Sequence, residues 1–139
     1  MNQDEEHLKL LSIFHYIVAG LAALFACFPI FHFIAGIGMV IGSIVTQSAD
    51  SVFLAAIGGA FTIFAGGIML LGWAFAASVA IAGRFLTTRK RYMFCLVVAG
   101  IECIFTPFGT VLGVFTIIVL MRPSVKELFE VEQVVEAAT

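Results

Sequence analysis

Glu102 is the only acidic side chain inside the long apolar runs of this sequence, where it sits in AGIECIFTPFGTVLGVF (99–115). Eleven residues separate it from Arg91, which on a helix places it about 16 Å from a charged boundary, near the middle of a bilayer. An ionisable group at that depth costs at least ~2.5–3.5 kcal/mol on insertion scales, so it usually faces a bundle interior and marks an ion or proton path. The simpler reading is a neutral Glu102 that hydrogen-bonds a facing helix, with Thr62 or Tyr16 as the expected partner. Thr106 follows one turn later on the same face. The candidate intramembrane polar site is therefore Glu102, Thr106, Thr62 and Tyr16.

Other reactive side chains carry less. His15 and His32 suggest haem ligation, but they lie at unequal distances from Phe28-Pro29, and a hairpin there sets them at depths ~15 Å apart. His15, beside Tyr16 near a helix start, reads as an interfacial anchor, and His32 as a polar contact at a helix end. Cys27, Cys95 and Cys103 fall in apolar stretches without CxxC or Cys/His metal spacing, as small buried hydrophobes do. No nucleophile and base, and no ligand set, can be assembled from these residues. The sequence thus assigns no catalytic, cofactor-binding or metal residue, and no enzyme and no cofactor are expected.

The elements that must position Glu102 are membrane helices. The chain is 62% hydrophobic and 12% charged, with mean hydropathy +1.14 over 139 residues; soluble domains average ~45–50% apolar and ~25% charged. The expected fold is all-α, a polytopic membrane bundle of about four transmembrane helices over residues 1–123, with a short amphipathic helix in 124–139. The helices are placed at about 6–28, 30–46, 52–84 and 92–121. Their breaks are Phe28-Pro29, TQSADS (46–51) and RFLTTRKR (84–91). Pro29 suits the first turn of a new helix, where its missing N–H would be unpaired anyway, and predicts a tight hairpin between the first two helices. The acidic start, MNQDEEHLK, lacks the positive charge of a signal peptide, so the first apolar run is expected to be retained. A net charge of -2 with no basic face argues against nucleic acid.

Small residues mark the faces expected to pack. In the fourth segment Cys95, Ala99, Glu102, Thr106, Gly109, Gly113 and Thr116 share one face, and Ala55, Gly59, Thr62, Gly66, Ala76, Ala80 and Gly83 do so in the third. Such stripes let helix backbones approach where lipid supplies no hydrophobic drive. The candidate packing glycines are Gly38, Gly42, Gly59, Gly66, Gly109 and Gly113. The stripe runs unbroken across Pro107, which favours one kinked helix over 92–121. The likeness of IVAGLAALFACFP (17–29) to VVAGIECIFTPFG (97–109) points instead to a re-entrant hairpin of two arms of ~15 residues.

Orientation follows from short-loop Lys and Arg. Arg84, Arg89, Lys90 and Arg91 predict a cytoplasmic loop, and four crossings would then leave both termini outside; Lys9, Arg122 and Lys126 pull the other way. The tail after Arg122-Pro123 opens with a capping-box pattern, Ser124 to Glu127, and sets Leu128, Val131, Val135 and Ala138 at helical spacing. It is expected to lie on the membrane or on a partner.

HLKLLSIFHYIVAGLAALF and RYMFCLVVAGIECIFTPFGTVLGVFTIIVLMRPSVKELF resemble segments shared by a family of small bacterial four-helix integral membrane proteins, over about the first 30 and last 40 residues. The resemblance includes Glu102, Pro107 and RPSVKELF, implies the bacterial cytoplasmic (inner) membrane, and brings no activity with it. The expected function is non-enzymatic: helix–helix association in the lipid bilayer, as a homo-oligomer or an accessory subunit beside other membrane-protein subunits. The alternative is a small oligomeric channel or transporter with Glu102 as a proton or cation site.

Overall fold

The computed structural model describes residues 3–46, 50–104 and 108–138, and among these every regular element is a helix. The helices are α1 (Gln3–Ala26), α2 (Ile30–Thr46), α3 (Ser51–Thr88), α4 (Tyr92–Glu102), α5 (Phe108–Leu120) and α6 (Pro123–Ala137). They form two compact units. One comprises Met1–Leu21 with Ala76–Thr139, and the other Ala22–Phe75.

In the 22–75 unit, Ala26 lies against the position of a Gly72 side chain, Phe33 against Gly66, and Gly36 against Thr62 and Gly58. The partner's number falls steadily as the chain passes Pro29. A hairpin at Phe28-Pro29 would reverse that order, so the expected reversal is absent. Instead the Cys27, Phe28 and Ile30 N–H groups donate to Leu24, Phe25 and Cys27 carbonyls at 3.0–3.1 Å, and Phe33 N–H resumes the ordinary ladder on Pro29 O. The proline, which cannot donate, falls where the helix tightens to i→i−3 bonding, and so it adjusts the rod without ending it. Gln3–Thr46 is a 44-residue helical stretch and Ser51–Thr88 one of 38 residues, and each holds a window long and apolar enough to cross a membrane.

The other unit holds α4 and α5 as an antiparallel hairpin. Tyr92 Oη donates to Leu120 O at 3.0 Å, Gly113 approaches Ala99 O and Cys103, and Thr110 Oγ1 donates to Cys103 O at 2.9 Å. One number rises as the other falls, which a single kinked helix over 92–121 cannot do. At 1.5 Å per residue the arms, of 11 and 13 residues, measure about 16 and 20 Å, short of the ~30 Å hydrocarbon core. Of the four crossings expected from the sequence, the described residues show two helices of sufficient length and apolarity. Arg89 and Arg91 take left-handed φ values of 53° and 51° to turn the chain from α3 into α4.

Leu8, Leu11, Leu86, Cys95, Val119, Leu120, Val125 and Phe129 form the hydrophobic core of this unit. The tail thus docks on its own chain through Val125 and Phe129, with Leu128 partly covered, while Val131 and Val135 from the expected apolar face stay exposed. Its helix begins on Pro123 without a side-chain cap hydrogen bond, so the capping-box expectation does not hold. Arg89 pairs with Glu5 at 2.7 Å and Arg122 with Asp4 at 3.4 Å. These pairs gather the start of α1, the α3–α4 turn and the α5–α6 junction at one end of the unit.

Candidate functional site

The stripe on α4 and α5 turns inward as its small residues require. Cys95, Ala99, Glu102, Gly109, Gly113 and Thr116 are all buried, and Thr106 and Pro107 lie outside the described residues. Glu102, in the last turn of α4, meets α1. Its Oε2 stands 3.3 Å from His15 Nε2, and both side chains are 0% exposed.

His15 reaches this position because α1 carries a face of its own: Leu8, Leu11, Ser12, His15 and Ala19 recur at helical spacing and are all buried. Gly83 of α3 makes room for it, since a Cβ there would stand 3.0 Å from His15 Cβ and 3.3 Å from Ser12 O. One turn away, Ser12 Oγ donates to Gly83 O at 2.7 Å and Thr87 Oγ1 donates to Ser12 Oγ at 2.7 Å. Each hydroxyl thus has a partner, which buried polar groups need.

The histidine's hydrogen bonding restricts what the pair can do. Its Nδ1 lies 2.9 Å from Leu11 O, and a carbonyl can only accept, so Nδ1 carries a proton. Nε2 then faces Glu102 Oε2 across a contact that is closed to solvent, with no hydrogen bond between the two atoms. Closed in this way, the site clasps the α4–α5 hairpin to α1. The 3.3 Å contact falls short of hydrogen-bond geometry, and Glu102 Oε1 has no hydrogen-bond partner among the described residues.

The expected partners of Glu102 lie elsewhere. Tyr16 is 49% exposed, and Thr62, in the 22–75 unit, donates to Gly58 O of its own helix at 2.8 Å. His15 is a buried partner instead of an interfacial anchor, and the legible signal for it was the α1 face just named. His32, exposed, stacks on Phe61 with centroids 6.1 Å apart.

The packing glycines divide in the same manner. Gly113 lies where a side chain would collide with Ala99 O, and Gly66 lies 3.1 Å from the Phe33 ring, measured from where its Cβ would be. Beside Gly38, Gly42 and Gly59 there is open space. α2 and α3 come close at Gly36 and Gly58, each with the other's carbonyl oxygen 2.7–2.8 Å from where its Cβ would be. A GxxxG spacing names a face of one helix, and only the facing helix decides which glycine is used. Among the described residues no group of His, Cys, Asp and Glu is arranged to hold a metal ion. No family model matches the chain, and neither a curated protein nor a solved structure matches it.

Proposed function

We propose that the chain is an integral membrane protein of the bacterial cytoplasmic membrane that acts without catalysis, by associating with itself or with another membrane subunit. The observation that carries this reading is the exposure of the two long helices: the most apolar window of each is only 11% buried. Phe25, Phe31, Val45, Phe53, Ile63 and Leu71 are among the large apolar side chains facing outward, a surface that lipid or a partner helix must cover. The resemblance of both ends to small bacterial membrane proteins points the same way. The buried polar pair is spent on holding the fold, as a non-catalytic role expects.

All seven Lys and Arg residues belong to the unit of 1–21 and 76–139, and the ion pairs of Arg89 and Arg122 with the start of α1 bring the basic segments to one end of it. Under the positive-inside rule that end is cytoplasmic, with the starts of α1 and α6 on that side. The opposing pulls of the basic groups in the sequence disappear once the α4–α5 hairpin returns the chain to the side it left.

Membrane integration is tested by carbonate extraction and by cysteine accessibility at Lys9 and Lys126, both expected to label only from the cytoplasmic side. Release by carbonate would end the membrane reading. Mass measurement in mild detergent then tests association, and a lone monomer would count against it. The unpartnered Glu102 Oε1 supports a second reading, a proton or cation site that becomes accessible when the clasp opens. Wild-type flux in proteoliposomes that Glu102→Gln abolishes would favour it over a packing role.

A further inference from the structure

A cleft of about 560 Å³, within the usual range for small-molecule sites, opens where the α3–α4 turn meets α6. Arg91 and Lys126 bring two cations to it and Glu130 one carboxylate, leaving one excess positive charge. Lys126 Nζ lies 6.0 Å from the centre of the Tyr92 ring and Arg91 Cζ 5.9 Å from that of Phe85, so aromatic faces help to hold both cationic groups at the rim. The cleft also lies at the start of α4, the positive end of that helix's dipole.

Its other wall is apolar and does not end at the rim. Met93 lines the cleft and is 67% exposed, and Val97, Ile101 and Ile104 continue the exposed stripe from it along α4 and just beyond. A soluble anion would leave that stripe unused, whereas a phospholipid uses both parts. We propose that the cleft binds the headgroup of an anionic phospholipid of the cytoplasmic leaflet, its phosphate between Arg91 and Lys126 and an acyl chain along Met93, Val97 and Ile101. A phosphodiester carrying one net negative charge neutralises the excess; a zwitterionic headgroup does not. The inference rests on the membrane reading above.

The test uses the full chain, purified in mild detergent and offered phosphatidylglycerol, phosphatidylethanolamine and phosphatidylcholine in equal amounts, with retained lipid counted by native mass spectrometry. The wild type is expected to keep one phosphatidylglycerol. Replacing both cations, Arg91→Gln with Lys126→Gln, lowers retention about tenfold or more, and Lys9→Gln with Arg84→Gln, outside the cleft, leaves it unchanged. Met93→Glu sets a carboxylate at an exposed position of the wall and lowers retention without removing either cation–aromatic contact, which guards against a folding defect in the first variant. Equal retention of the three lipids, preference for the zwitterions, or equal loss in the two double variants overturns the proposal. Carbonate release of the chain would instead strike the membrane reading itself, so the two failures are distinguishable.

Discussion

The two units of this molecule solve the same problem with different chemistry. Residues 22–75 carry no Lys or Arg and a single acid, Asp50, and helices there approach by backbone, Gly36 against Gly58. Their hydroxyls turn back on their own helices: Ser43 donates to Val40 O, Thr46 to Gly42 O and Thr62 to Gly58 O. The unit of 1–21 and 76–139 also uses a glycine contact, Gly113, but adds polar contacts between helices, an interlocked apolar core and ion pairs such as Arg89–Glu5 and Arg122–Asp4. In the 22–75 unit backbone proximity combines with apolar and ring contacts, Phe33 over Gly66 and His32 on Phe61. The two short arms α4 and α5 are fixed by side chains as well.

The largest effects should come from glycine contacts, in both units. Gly113→Leu must drive the arms apart against Ala99 O, and Gly36→Leu must displace α2 from Gly58, each at about 3 kcal/mol or more in a detergent unfolding assay. Val111→Phe and Gly38→Leu are the matched controls, on exposed sites, and are expected to be neutral. Damage from Gly38→Leu equal to that from Gly36→Leu would contradict close packing of α2 on α3 at Gly36.

Intermediate effects separate the units. Glu102→Leu strands His15 Nε2 and should cost ~1–3 kcal/mol, whereas Glu102→Gln keeps a donor for that nitrogen and should cost less than about 1 kcal/mol. Thr62→Val, which removes only a hydroxyl bonded within its own helix, should be milder than Glu102→Leu when both are compared by thermal melting. A melting temperature for Glu102→Gln as low as that of Glu102→Leu would argue against a polar contact between His15 and Glu102. The smallest effect belongs to the rim: Arg89→Gln removes a partly exposed ion pair worth ~0.2–1 kcal/mol, and the loss should fade as salt is raised.

Much of this was legible in the chain. Helical class, the inward face of α4 and the isolation of Glu102 follow from composition and the 3.6-residue period. The α4–α5 hairpin was legible only as an alternative, from the likeness of 97–109 to 17–29, because two arms that bury small residues in a common interior show the same spacing as one continuous stripe. Pro29 was ambiguous for a related reason: a proline without a donor fits the first turn of a new helix and an i→i−3 step within an old one equally well. His15 was hidden by its neighbour. Weighed with Tyr16 it looks interfacial, but weighed with Leu8, Leu11, Ser12 and Ala19 it belongs to a buried face, opposite which a lone acid would have to lie.

The clasp between α1 and the α4–α5 hairpin is tested most directly by a double-mutant cycle on His15 and Glu102. Unfolding free energies are measured in one detergent for the wild type, His15→Leu, Glu102→Leu and the double variant. Each single change strands a buried polar group and the double strands neither, so the double should be less destabilised than the sum of the singles by about 0.5–3 kcal/mol. Strict additivity of the two substitutions would contradict the pair.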